Sequence, residues 1–292
     1  MLKVNKLFIY FFIFYSCTIQ EDFDLQGHRG YRGFYPENSI IGFTKALEIG
    51  VNTLELDVVI SRDKKVVVSH EPWMSENICL DSVGNELKDS KTTYNIYSMD
   101  YEYIKKFDCG IKGNNRFLEQ KKISTYKPTL DFLVNYIDTY AYNNNIKLPK
   151  YNIEIKSSLD SDFIYHPSVK DFSDLVYNVI DSLNISERVI IQSFDFRILK
   201  YFHENYPKIL LSVLVSENHN LKKNLTDLGF EPHIYSPNFK NLVYEDIIFL
   251  KKKNIKIIPW TVNSYSDIAK ILQMGTSGII TDYPERVLEL RK

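Results

Sequence analysis

Thr53-Leu54-Glu55-Leu56-Asp57-Val58 is the stretch on which the fold turns. It is short, apolar and β-prone, as a strand buried inside a parallel sheet should be. It also carries two carboxylates, Glu55 and Asp57, two residues apart and therefore on the same side. Working outward, similar apolar runs recur at Leu25–His28, Val66–His70, Tyr151–Lys156, Val189–Ser193, Ile209–Val215, His233–Ser236, Ile255–Trp260 and Gly278–Thr281. Segments with helical periodicity separate most of them. Asn38 and Ser39 can cap a helix whose Ile40, Phe43, Ala46 and Leu47 share a face, and Gly50 stands where a left-handed C-terminal residue is expected. Further helices are predicted over 171–183, 195–205, 241–252 and 264–274. Strands alternating with helices predict a parallel α/β fold, a (β/α)8 TIM barrel of one domain.

Nine candidate strands are one too many for such a barrel. The favoured resolution folds Val66–His70 back on Val58 through a tight turn at Asp63-Lys64, so that His70 returns beside Asp57 as a hairpin arm. The alternative makes Val66–His70 a barrel strand without its helix. The stretch from Glu71 to about Lys127 breaks the rhythm, being long, polar and rich in Asn, Lys, Tyr and Asp. A loop of that length is usually functional. Because it leaves the strand end bearing His70, it is expected over the barrel mouth as a lid or specificity insertion, with a short helix near Tyr101–Phe107.

Ionisable groups gather at the C-terminal strand ends, where barrels do their chemistry. His28-Arg29 ends the first strand, Glu55 and Asp57 mark the second, and His70 ends the third candidate. Glu154 and Lys156 follow on another, Gln192 and Trp260 end two more, and Asp282 follows the last. Any one has an ordinary explanation, such as a salt bridge or a core tryptophan; their joint position is what points to a site. Glu55, Asp57 and Glu154 offer three hard oxygen ligands and no thiolate, which suits one divalent cation, Ca²⁺ or Mg²⁺, with Mn²⁺ also admissible. Arg29 and Lys156 can hold phosphate oxygens. His28 and His70 can serve as general acid and base. Together these are the parts that phosphodiester hydrolysis requires.

The spacing also has a specific resemblance. Gly27-His28-Arg29-Gly30, Pro36-Glu37-Asn38-Ser39, Leu54-Glu55-Leu56-Asp57-Val58 and Val66-Val67-Val68-Ser69-His70 resemble the N-terminal signature of the glycerophosphodiester phosphodiesterases. Glu154-x-Lys156, Ile191-Gln192-Ser193-Phe194, Pro259-Trp260-Thr261-Val262-Asn263 and Gly278-Ile279-Ile280-Thr281-Asp282 match in order, so the resemblance covers the whole domain. It implies catalytic histidines at His28 and His70, metal-binding carboxylates at Glu55, Asp57 and Glu154, phosphate contacts at Arg29 and Lys156, and a glycerol pocket lined by Trp260. Asn38, Gln192 and Asp282 are candidates for support behind these groups. The implied reaction converts a glycerophosphodiester to glycerol 3-phosphate and an alcohol with a divalent cation. His70-Glu71 stands where the family commonly has His-Asp. The same residues could serve a phospholipase-type enzyme acting on lysolipid or a cell-wall polymer, and the scaffold alone could serve a non-catalytic surface lipoprotein.

Composition agrees with one sizeable globular domain: 292 residues, 44% hydrophobic and 25% charged. The net charge of −1 gives no reason to expect nucleic acid as a partner. The first 16 residues have the makeup of an export signal: Lys3 and Lys6, then an apolar run from Leu7 to Tyr15, too short to span a bilayer. Ser16-Cys17 resembles a lipobox, with Phe14 where leucine is usual. A lipid on Cys17 would anchor the chain to a cell-envelope membrane, periplasmic or surface-exposed, through a linker over 17–22 to the domain at 23–292. An ordinary cleaved signal or an uncleaved anchor are the alternatives. Cys79 and Cys109 can form a bridge or stand as two unremarkable thiols. Replacing Cys17 with alanine is expected to move the protein from the membrane to the soluble fraction on cell fractionation; unchanged membrane partition refutes lipidation at this residue.

Overall fold

The computed structural model describes residues 23–216 and 220–292. The expected signal segment and Cys17 lie outside them. Eight parallel strands form a nearly closed barrel. In chain order the parallel strands and the helices packed outside them begin with β1 (Asp24–His28), α1 (Ile40–Glu48) and β2 (Thr53–Ile60), followed by the hairpin arm β3 (Val66–Val68). The insertion contributes the short helices α2 (Ser90–Thr93) and α3 (Tyr101–Ile104). Then come α4 (Leu130–Asn143), β4 (Lys150–Ile155), α5 (Val169–Ser182), β5 (Val189–Ser193) and α6 (Phe196–Asn205). The chain finishes with β6 (Leu210–Val215), α7 (Leu221–Leu228), β7 (Ile234–Pro237), α8 (Tyr244–Lys252), β8 (Lys256–Ile257), α9 (Tyr265–Gln273), β9 (Gly278–Thr281) and α10 (Pro284–Leu290).

The strands run β8-β7-β6-β5-β4-β2-β1-β9. The ring closes between β8 and β9 without a regular ladder. Pro259 has no N–H to donate, but its carbonyl accepts from Ile280, and Ser277 and Val262 complete the seam by donating to Ile257 and Ile280. With Pro237 withholding a donor on the β7 side and Pro259 on the β9 side, the strand expected at Ile255–Trp260 is regular only over Lys256–Ile257. Trp260 still donates to the Pro237 carbonyl. Parallel register fixes which side chains meet: His28 is level with Glu55, Asp57 with Glu154, and Glu154 with Gln192.

Val66–Val68 is a hairpin arm, pairing antiparallel with Val58–Ile60. The turn uses Lys64 at φ 62 and is pinned by Ser61 Oγ donating to Asp63 Oδ1 at 2.6 Å. Beyond it, the Ser69 N–H reaches the Asp57 carbonyl at 2.9 Å, which returns His70 to the carboxylate level. Helix α1 starts as expected, with Ser39 Oγ accepting from the Gly42 N–H, and the chain leaves it through Gly50 at φ 95. Gly30 is needed for a different reason: a β-carbon there would lie 2.7 Å from the Gly42 carbonyl carbon, so any side chain pushes α1 off the β1–α1 loop. The four later predicted helices form within a few residues of their expected limits. The sequence reading did not assign α4, α7 or α10. Helix α4 buries Leu130, Leu133, Val134, Ile137 and Ala141 on one face, a pattern masked by the polar insertion before it and the Asn run after it.

The insertion is a packed wall with its own small core, in which Met74, Ile78, Ile96, Ile104 and Phe107 are buried against Val59 and Val67. Cys79 and Cys109 form a disulfide within it. Its far end is bound to the barrel: Gln120 Nε2 donates to the carbonyls of Arg32 (2.8 Å) and Tyr35 (3.0 Å), and the Val68 N–H donates to the Pro128 carbonyl at 2.8 Å. The disulfide closes a loop with a sequence separation of 30, for which chain entropy gives about 3–4 kcal/mol. Replacing both cysteines with serine is expected to lower the free energy of unfolding by about that amount. Denaturant titration checks this, and an unchanged midpoint would show that the bridge adds nothing.

Candidate active site

The C-terminal ends of β1, β2, β4, β5 and β9 converge on a cavity of about 290 Å³. Glu55, buried in β2, accepts from the Arg29 backbone N–H at 2.9 Å and from Gln192 Nε2 at 2.7 Å. Asp57 Oδ2 accepts from Asn38 Nδ2 at 2.9 Å. Arg29 Nε lies 3.3 Å from the same oxygen but makes no hydrogen bond, so that contact is one of charge alone. Glu154, across the ladder, accepts from Lys156 Nζ at 2.7 Å. Ligand oxygens of Glu55, Asp57 and Glu154 lie within 4.8 Å of one another.

Three buried carboxylates this close repel one another. Burial, then the charges of Asp57 and Glu154, push the Glu55 carboxyl well above its usual range. Burial also raises Glu154, although Lys156 opposes it. Burial acts on Asp57 in the same direction, but the Arg29 guanidinium and its cationic neighbours outweigh it and hold that group below the usual range. Asp57 Oδ1 is buried with no hydrogen-bond partner. With an acceptor lacking a hydrogen bond beside two carboxylates whose protons are hard to remove, the donor set fits a hard divalent ion.

Each candidate histidine is anchored by an acid. His28 Nδ1 lies 2.7 Å from Asp282 Oδ1, and His70 Nδ1 lies 2.8 Å from Glu71 Oε1. With Nδ1–H donated to the carboxylate, Nε2 is the nitrogen left for chemistry. Burial lowers the His28 pKa below 6.5 against the pull of Asp282. Asp282 is itself held by Asn263 Nδ2 at 2.7 Å. Opposite the charged groups, Trp260, Phe194, Leu214 and Ile280 form an apolar wall. Trp260 donates Nε1–H to the Ser236 carbonyl at 2.9 Å and meets Phe194 edge to face, centroids 5.3 Å apart.

Comparison with known proteins adds a second line of observation. The sequence model of the glycerophosphoryl diester phosphodiesterase family matches residues 28–286. The chain belongs to that family. Among similar proteins, the glycerophosphodiester phosphodiesterase of Caldanaerobacter subterraneus is 29% identical over 270 residues, covering 90% of this chain and 95% of the relative. That of Bacillus altitudinis is 27% identical over 270 residues, covering 91% and 96%. A crystal structure from Silicibacter pomeroyi, described as a candidate glycerophosphoryl diester phosphodiesterase, superposes with TM-score 0.83 at 25% identity and covers 93% of each chain. An Oleispira antarctica phosphodiesterase in complex with sn-glycerol-3-phosphate has the same fold, with TM-score 0.70 at 19% identity over 92% of this chain and 96% of that one. The chain is a phosphodiesterase.

This family member brings every catalytic, metal-binding, substrate-binding and supporting residue proposed from sequence to one place, Cys17 alone lying outside the described residues. His28, Arg29, Glu55, His70, Glu154, Lys156, Gln192, Trp260 and Asp282 border the cavity, while Asp57 and Asn38 lie directly behind it. Four contributors were not singled out from sequence. Glu37 bridges Arg29 and Arg32 at 2.8 Å each, and these cations overcome burial to hold its carboxyl far below the usual range. Glu37 stood inside a quoted motif, but nothing in its neighbours showed that it pairs two arginines. Asn263 supports Asp282 from the other side of the seam, and Arg116 reaches the cavity from the insertion. If the carboxylate triad takes a divalent cation, millimolar Ca²⁺ or Mg²⁺ should raise the Tm by roughly 5–10 °C at a hundredfold excess over Kd. Asp57→Asn should erase that response; differential scanning fluorimetry with and without cation decides it.

Proposed function

We propose that the protein hydrolyses glycerophosphodiesters to glycerol 3-phosphate and an alcohol, with a divalent cation held by Glu55, Asp57 and Glu154. The observation that carries this is the pair of carboxylate-anchored histidines bordering the same cavity as Glu55 and Glu154, with Asp57 directly behind them. When bound, the cation supplies Lewis-acid polarisation of a phosphoryl oxygen. Lys156 and Arg29 add positive charge for the remaining phosphate oxygens; Arg29 shares its guanidinium with Glu37 and Asp57, so it acts from a fixed position. The apolar wall around Trp260 suits the carbon face of glycerol, and the relatives named for this activity support the assignment.

The two histidines differ in burial, which supports a division of roles between them. His28 is the more buried, and burial lowers its pKa, so its Nε2 is assigned to accept a proton from the attacking water as the new P–O bond forms. Asp282 stabilises the imidazolium that results. His70, with Glu71 behind it, gives its Nε2 proton to the departing alkoxide as the second P–O bond breaks. The enzyme is also proposed to act outside the cytoplasm as a lipid-anchored protein. The export-type N-terminus supports that, as does a disulfide, which persists in oxidising compartments.

Either His28→Ala or His70→Ala should lower kcat by about 10²–10⁴ while leaving the cation-dependent rise in Tm intact. Loss of the cation response in both would contradict their assignment to proton transfer. Asp282→Asn should lower kcat and carry the acid limb of the kcat/KM profile to lower pH, because Asp282 raises the His28 pKa and its removal lets burial act unopposed. Exhaustive chelation should abolish turnover and added cation restore it; turnover that survives chelation would falsify the metal role.

A further inference from the structure

A second cavity of about 210 Å³ opens beside the first, on the Glu71 side, between the barrel mouth and the insertion. Arg32 and Arg116 line both cavities, so the two are adjoining parts of one cleft. The rest of the second lining is polar: Ser75, Asn77, Asn114 and Asn115, with Glu37 and Glu71 at its inner edge. It contains no aromatic ring, and its one apolar member is Ile78.

The charges in this lining are unequally committed. Glu37 gives both its oxygens to Arg29 and Arg32, whereas Glu71 gives Oε1 to His70 and is partly exposed. Arg32 is buried, pairs with Glu37 and stacks on Phe117 with its guanidinium carbon 4.8 Å from the ring centroid. Arg116 makes no ion pair and no side-chain hydrogen bond among the described residues, and it is exposed. The backbone that carries it is nevertheless set. The preceding Asn114 Oδ1 accepts the Arg116 N–H at 3.0 Å, and buried Phe117 and Gln120 tie the following residues to Arg32 and Tyr35.

We infer that this second cavity receives the leaving alcohol, and that the alcohol it selects is rich in hydroxyls and carries no positive charge, with a negative charge favoured. The inference rests on the diesterase reading above and specifies its substrate class. Three amides and a serine hydroxyl provide donors and acceptors for hydroxyl groups. A quaternary or primary ammonium would find no aromatic face, would have to share Glu71 with the His70 imidazole, and would approach the unpaired Arg116 guanidinium. The cavity lies beside the His70–Glu71 pair, so an alcohol bound there has its departing oxygen on the side of the proton donor. Arg116 is a specificity residue in this scheme.

The test is kcat/KM of the purified, cation-supplemented protein on glycerophosphoinositol, glycerophosphoglycerol, glycerophosphoethanolamine and glycerophosphocholine. The two hydroxylated substrates should exceed the two cationic ones by at least tenfold. Arg116→Glu should narrow that ratio at least fivefold or invert it, and Arg116→Gln should fall between; both are exposed changes, and unchanged Tm values confirm folding. Equal or better turnover of the choline diester by the wild type overturns the inference while leaving the diesterase assignment standing. So does a substrate ratio unmoved by either variant. Absence of turnover on all four, with cation present, overturns the diesterase assignment itself and the inference with it.

Discussion

Three carboxylates forced together in a dry place are the constraint around which this molecule is built. Parallel pairing puts Asp57 level with Glu154, and Glu55 sits two residues back on the same strand. Alone, that arrangement is unfavourable, because each added negative charge makes the next harder to ionise. The surroundings are arranged to bear it. Gln192 and the Arg29 N–H take the oxygens of Glu55, Asn38 and Arg29 lie on Asp57, and Lys156 lies on Glu154. Arg29 and Asn38 both adopt left-handed backbone, at φ 54 and 51, and a hydrogen bond from the Asn38 N–H to the Arg29 carbonyl joins them. Such strain is tolerated where the surrounding contacts over-determine it.

The histidines follow a related logic at the rim. Each is oriented through Nδ1 by an acid on a different part of the chain, Asp282 after the last strand and Glu71 at the start of the insertion. The barrel therefore supplies one acid–histidine pair by closing on itself, and the hairpin supplies the other. Glutamate at 71 is compatible with this arrangement, since its longer side chain still reaches the imidazole.

How much of this was legible beforehand depended on how local the information was. Period-two placement of Glu55 and Asp57, the turn at Asp63-Lys64 and the cap at Ser39 are properties of a few neighbouring residues, and the structure bears each of them out. Bringing the carboxylates, both histidines and Lys156 together needed only strand ends in register. What escaped was information held in tertiary contacts. Glu37 looks like any surface acid until two arginines are brought to it, and Arg116 lies in a segment with no periodicity to say where it points. Helix α7 presents only a sparse apolar face, with Leu221 and Leu228 buried, and the strand at 255–260 is shorter than expected because Pro237 in its neighbour and Pro259 in itself each remove a ladder donor. The cysteine pair was likewise undecidable from spacing, because a bridge within an irregular loop depends on how that loop packs.

The irregular seam gives the barrel an uneven ladder. Six residue pairs join β2 to β4, whereas two join β7 to β8, where Pro237 cannot donate, and the closure onto β9 is made around Pro259. Trp260 is nonetheless fixed across that short ladder: its N–H donates to the Pro237 carbonyl, its carbonyl accepts from the Phe239 N–H, and its indole donates to the Ser236 carbonyl. The backbone bonds withheld by two prolines are thus replaced at the tryptophan, so the ring keeps a firm edge on both sides of the cavity.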